Sequence, residues 1–166
     1  MPSININNKL KKKGFTLVEL LVVISIIGIL TIITLASFTN AQKKGRDAKR
    51  KSELDALSKA MIMYFNDTGS FPAAIDFTSS STGLTGPGGD YYIRTLPVDP
   101  KNTPSTTPPF DYVYVVSTSK RSFSLFANLE NTSDPKCEAT PYVVSTKNYC
   151  YGISSPNTIP AASPSP

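Results

Sequence analysis

Gly14, Phe15 and Glu19 carry the most suggestive chemistry in this sequence, because they lie where the lysines Lys11, Lys12 and Lys13 meet a long apolar run. Hydrolysis of the peptide bond between Gly14 and Phe15 would create an α-amine four residues, or one helical turn, before Glu19. The new cation would be within reach of the carboxylate, which as a first-turn residue also meets the favourable end of the helix dipole. Without a partner the acid is out of place. A charged side chain costs on the order of 2.5 to 3.5 kcal/mol at the centre of a bilayer, and less near its edge. The expected chemistry is therefore proteolysis followed by ion pairing.

Other chemistry is sparse. Histidine is absent from all 166 residues, which removes the usual general base, the Ser/His/Asp arrangement and His-containing zinc sites. The glycines of "TSSSTGLTGPGGD" lack the GK[ST] ending of a phosphate cradle, so this segment reads as a loop. An enzyme is not expected. Cys137 and Cys150 are the only two cysteines, and they fit a disulfide formed in an oxidising compartment, worth about 3 kcal/mol for so short a loop.

The elements that hold these residues can be read from periodicity. Leu20 to Phe38 is a stretch of 19 residues without a charge, which as a helix spans about 28 Å and can cross a bilayer. Beyond it, Leu54, Leu57, Met61 and Tyr64, with Phe65 adjoining, mark one apolar helical stripe. Asp47 with Lys51 and Asp55 with Lys59 form acid-to-base pairs on a solvated face. Gly45 and the β-branched run from Thr31 to Thr34 weaken the helix locally, but no proline occurs between Pro2 and Pro72. One helix of about 50 residues is predicted, ending at "NDTGSFP", where Gly69 can take the left-handed cap and Pro72 cannot continue.

The fold class expected is α+β, a long helix packed on a small antiparallel sheet. "DYVYVVST" and "SFSLFANL" predict a hairpin, with Phe123, Leu125, Ala127 and Leu129 on one face. "YVVST" and "YCYGI", joined by Lys147 and Asn148, suggest a second, shorter one. The organisation is then a leader over 1–14, a membrane-spanning helix over 15–40, its amphipathic extension over 41–66, a head over 67–153 and a Pro/Ser-rich disordered tail over 154–166.

The net charge of +5 owes four of its charges to Lys9, Lys11, Lys12 and Lys13. From Leu57 onward seven basic residues face eight acidic ones. A head so near neutrality lacks the dense positive surface of a nucleic-acid binder, and nucleic acid is not expected as a partner.

Lysines, Gly14, "FTLVE" and an apolar helix together resemble the class III signal of type IV pilins and type II secretion pseudopilins. The resemblance implies cleavage after Gly14 by a prepilin peptidase and N-methylation of Phe15. It also implies pairing of Glu19 with the Phe15 amine of a neighbouring subunit during filament assembly. Gly28 falls where members commonly have glycine and would allow close helix contact. "MYFNDTGSFP", "LPVDP" and the following Tyr112 and Tyr114 resemble a major pseudopilin further along. Lys101 and Asn102 depart from its pattern, "TPSTTPP" looks inserted, and Ala36 stands where many members have proline. Partners implied are other copies of the chain, the peptidase, an inner-membrane assembly platform, and membrane lipid before assembly.

Major pseudopilins bind calcium in a loop after a strand like "SFSLFANL". Here Glu130, Asn131 and Asp134 offer oxygens, but the glycine-rich acidic pattern is missing and no cofactor is expected. The Cys137 and Cys150 pair is more like the disulfide-bounded region of pilins. The alternative function is a signal-anchored extracytoplasmic binding or adhesion protein that does not polymerise. An ordinary cleaved secretory signal fits poorly, because the apolar run is too long for one and "LASFTNAQ" is a poor site. The expected location is a single pass through the cytoplasmic membrane with the head outside, and the filament periplasmic or on the cell surface. One count opposes that orientation. Lys43, Lys44, Arg46, Lys49, Arg50 and Lys51 follow the apolar run, outnumber the leader lysines and read as a solvated helix face.

Overall fold

A computed structural model describes residues 14–78 and 83–156. The leader lysines, the middle of the Ser/Thr-rich loop and the tail from 157 lie outside the described residues. Helix α1, Leu17–Thr68, runs for 52 residues without a break. Two hydroxyls in its apolar half return to the backbone: Ser25 Oγ donates to the Leu21 carbonyl at 2.8 Å and Thr31 Oγ1 to that of Ile27 at 2.7 Å. A hydroxyl satisfied this way presents little unpaired polarity to lipid.

The chain divides into two units, residues 1–40 and 41–166. In the first, the large apolar side chains described between Phe15 and Phe38 are exposed. In the second, the helix buries its predicted stripe: Leu54, Leu57 and Met61 are fully buried, and Tyr64 and Phe65 pack at the edge of the same cluster. The helix ends on Gly69 at φ +74°, whose amide donates to the Phe65 carbonyl at 2.7 Å. That positive φ suits glycine, which has no Cβ to resist it. The chain turns back through Phe71, which stacks on Phe65 and meets Phe123 edge-on, with ring centroids 4.6 and 4.7 Å apart.

Among the described residues, three small antiparallel sheets complete the head. β1 (Leu84–Thr85) pairs with β2 (Tyr91–Ile93). The whole of "TSSSTGLTGPGGD" is therefore not a loop. A Cβ on Gly83 would come within 2.4 Å of the Ile93 carbonyl oxygen. Gly83→Ala is expected to cost about 1 to 3 kcal/mol by overpacking, measured as a lowered denaturation midpoint.

The main sheet sets β4 (Phe123–Ala127) between β3 (Val113–Val116) and β7 (Tyr151–Ser154). The β3–β4 hairpin is the one the alternation predicts, with Phe123, Leu125, Ala127 and Leu129 in the core beside the helix stripe. All five residues of β4 are buried, because its second face is covered too. Phe126 lies there against Tyr142 and Tyr149, at centroid distances of 5.1 and 6.4 Å.

The second hairpin departs from expectation. β5 (Tyr142–Val144) pairs with β6 (Lys147–Tyr149), so Lys147 and Asn148 are strand residues, and Ser145 and Thr146 make the turn. Ser145 supplies the positive φ, +57°, that a two-residue hairpin turn requires. The segment from Tyr151 then leaves this hairpin and joins β4. Order also extends past the expected start of the tail. Ser154 pairs with Ser124, and the amide of the buried Ser155 donates to the Phe123 carbonyl at 3.0 Å.

The buried Asn128 side chain ties these pieces together. Its amide nitrogen donates to the Pro109 and Asn148 carbonyls, both at 2.8 Å, and its oxygen accepts from the Cys150 amide at 2.9 Å. Cys150 is disulfide-bonded to Cys137. The loop at Pro109, β6 and the Cys150 segment are thereby fixed to the exit of β4.

Candidate functional site

At the start of α1 the side chains of Thr16 and Glu19 form a capping box. The Thr16 amide and hydroxyl both donate to Glu19 Oε2 at 2.8 Å, and the Glu19 amide donates back to Thr16 Oγ1 at 3.2 Å. Thr-x-x-Glu immediately before an apolar run is the sequence signature of this arrangement, a signal that the search for a partner to Glu19 leaves out. The carboxylate thus has partners within its own chain. Gly14 and Phe15 are exposed just before the helix, so the bond between them is open to approach. A Cβ placed on Gly28 would meet nothing within 4 Å, so its own chain does not require glycine there.

The second concentration of charge lies in the head and centres on Arg50. Residues 46, 47, 50 and 51 share one face of the helix, since they are separated by one turn and its neighbours. Arg50 has no exposed surface. Its Nε and Nη2 donate to the two oxygens of Asp99 at 2.7 and 2.9 Å. Its Nη1 reaches Asp47 at 2.7 Å and Glu130 at 3.0 Å. Such a fork is the geometry in which guanidinium binds carboxylate most strongly. Burial opposes the charge on Arg50, but Asp99, Glu130 and Asp47 outweigh it, and the guanidinium pKa is pushed up.

Glu130 is gripped from three sides. Arg46 donates to both of its oxygens at 2.6 and 2.8 Å, Arg50 joins one, and Lys101 sits 3.2 Å away. The Arg46 hydrogen bond leads these partners in holding the carboxyl down at about 2, against the effect of burial. The Phe110 ring lies under both Arg50 and Lys101, with its centroid 4.9 and 4.3 Å from their cationic groups. Asp47 accepts the backbone amides of Glu130 and Asn131 at 2.9 Å, and Lys51 pairs with Asp134.

Two expectations fail here. The basic cluster after the apolar run is not simply a solvated face, because Arg50 is buried and Arg46 and Lys51 are bound to acids of the head. Asp47 does not pair with Lys51 across a turn; it is buried and faces Arg50 and the loop at 130. The other local pair stands as expected, with Lys59 Nζ 2.7 Å from Asp55 on an exposed surface. Tyr112, one of the tyrosines read as part of the head, donates to Glu53 at 2.5 Å, and burial followed by that carboxylate pushes its phenol pKa up. Asp99, within "LPVDP", is the residue whose role sequence reasoning missed.

The prokaryotic N-terminal methylation motif matches residues 9–35. The type II secretion system core protein G of Pseudomonas aeruginosa is 27% identical over 124 residues, covering 70% of this chain and 82% of that protein. Its counterpart in Aeromonas hydrophila is 33% identical over 105 residues, 58% of this chain and 72% of that protein. The type IV major pilin protein PilA of Myxococcus xanthus is 37% identical over 57 residues, only 34% of this chain and 26% of the pilin. No solved structure matches. With the methylation motif matched over residues 9–35, and about a third of residues identical over most of the Aeromonas protein, the chain belongs to the family of the type II secretion system core protein G.

Proposed function

We propose that this chain is a structural subunit of a type II secretion pseudopilus. In this reading a prepilin peptidase cuts between Gly14 and Phe15 and methylates the new amine. The apolar half of α1 waits in the cytoplasmic membrane with the head outside, and an assembly platform there moves subunits into the filament. The helices then leave lipid and pack against each other, so that Glu19 exchanges its own cap for the Phe15 amine of a neighbouring copy. The role is structural, not catalytic.

One observation carries the reading: the methylation motif, residues 9–35, covers the start of a helix whose described large apolar side chains are exposed and are interrupted by a single acid. Lipid covers such a surface in the membrane, and copies of the same helix cover it in a filament, where dispersion contacts and small residues such as Gly28 favour close approach. The far greater coverage of the core protein G relatives than of the pilin supports the secretion filament over a surface pilus. In the folded head, Arg46, Lys49, Arg50 and Lys51 of the six basic residues beyond the apolar run are paired with acids; the count of basic residues itself still opposes this orientation.

Mass analysis of the mature N-terminus tests this. The expected chain starts at a methylated Phe15, and Gly14→Leu leaves the leader attached. A mature protein beginning near Gln42 would mean ordinary secretion, an intact Met1 would mean a permanent anchor, and either sinks the proposal.

A further inference from the structure

The loop that follows β4 is where the family resemblance implies calcium, and its residues do not fit that ion. Calcium takes six to eight oxygens, with carboxylates free to turn toward it. Here the oxygens are engaged. Glu130 Oε1 accepts from Arg46 and Arg50, and Glu130 Oε2 from Arg46 and Lys101. Asp134 Oδ2 accepts from Lys51 at 2.5 Å and Oδ1 from the Lys136 amide at 3.0 Å. Asn131 Oδ1 accepts from the Ser133 amide at 3.3 Å. Among the described residues no group of three or more His, Cys, Asp or Glu is arranged to hold a metal.

We infer that Arg46, Arg50, Lys51 and Lys101 take the place of a divalent cation, so that this loop is fixed and the head folds independently of calcium. Four carboxylates, Asp47, Asp99, Glu130 and Asp134, meet four cations, and the cluster closes without net charge. An entering divalent ion would have to displace the forked contacts of two arginines, one fully buried, and leave their charges unmatched. The loop is secured along its length. Asp47 holds the amides of residues 130 and 131, Lys51 holds Asp134, and the disulfide holds Cys137. What a metal does for a loop by drawing scattered oxygens together, three side chains of the helix and Lys101 do here.

The test is thermal unfolding of the full chain in detergent micelles, followed by near-ultraviolet circular dichroism, with either EGTA or millimolar calcium chloride present. This readout does not depend on processing or filament formation. The melting temperature is expected to be the same in both buffers for the natural sequence. The double variant Arg46→Gln, Lys101→Gln is expected to melt several degrees lower in both. A calcium-dependent rise of several degrees in the natural protein would overturn the inference, and so would a double variant that melts like the natural chain.

Discussion

Glu19→Ala is expected to yield a chain of normal mature mass that remains in the membrane and forms no filament. In the proposed reading, processing acts on the bond between Gly14 and Phe15, two residues that are exposed ahead of the helix, and does not involve the carboxylate. Assembly is different. In a dry bundle of helices the methylated amine needs a counter-charge, and two unit charges 4 Å apart attract by about 4 kcal/mol at an effective dielectric constant of about 20. Losing a few kcal/mol from every subunit addition lowers its equilibrium constant on the order of a hundredfold or more. The capping box supplies a second variant that separates two roles. Glutamine at position 19 can still accept from Thr16 and complete the cap, but it carries no charge. If Glu19 served only to start the helix, Glu19→Gln would assemble normally. Ion pairing requires that it fail nearly as completely as Glu19→Ala. Electron microscopy and sheared-filament yield, compared with membrane-retained mature protein, decide the matter, and abundant filaments from the glutamine variant would refute the pairing.

The second large effect belongs to Arg50. Arg50→Met is expected to destabilise the head by about 3 to 5 kcal/mol, because it leaves Asp99 and Asp47 buried beside no matching guanidinium. This is a large part of the 5 to 15 kcal/mol, roughly, that holds a small domain together. Chemical denaturation of the full chain in micelles measures it, and a variant within about 1 kcal/mol of the natural protein would show the fork to be dispensable.

The same cluster sets the response to acid. Glu130 has a folded pKa of about 2 against its usual 4.5, so the folded state binds this proton less readily than the unfolded one. The stabilisation, about 3 kcal/mol from a shift of this size, is fully present above about 4.5 and drains away as pH falls toward 2. Arg46 heads the causes of the shift. Arg46→Gln is therefore expected to flatten the loss of stability between pH 5 and 3, as read from denaturation midpoints.

How much of this was legible in the sequence depended on distance along the chain. The helix, its stripe at 54, 57, 61 and 64 and its stop at Gly69 are local patterns, and all three are present. The β3–β4 hairpin was equally plain, since alternation and a short connection define it. The Lys59 and Asp55 pair is four residues apart and formed as expected. Arg50 could not be read in this way. Its decisive partners lie 49 and 80 residues away, and a run of basic residues looks the same whether water or distant carboxylates neutralise it. The turn of the β5–β6 hairpin was misplaced because Lys and Asn look polar enough for a turn, whereas the backbone put its positive φ at Ser145. Thr16 was the one clear signal passed over. Its hydroxyl three residues before Glu19 already answered part of the question of how an acid survives at the head of an apolar helix.

The strand order of the main sheet has a consequence for biogenesis. β4 lies between β3, which precedes it, and β7, which begins only at Tyr151 after the whole β5–β6 hairpin has intervened. A head that crosses a membrane in N-to-C order behind its anchoring helix therefore shows a raw strand edge throughout the passage of residues 128 to 150. In such a passage, translocation competes with the association of these edges between neighbouring nascent heads until Tyr151–Ser154 emerges and closes the seam.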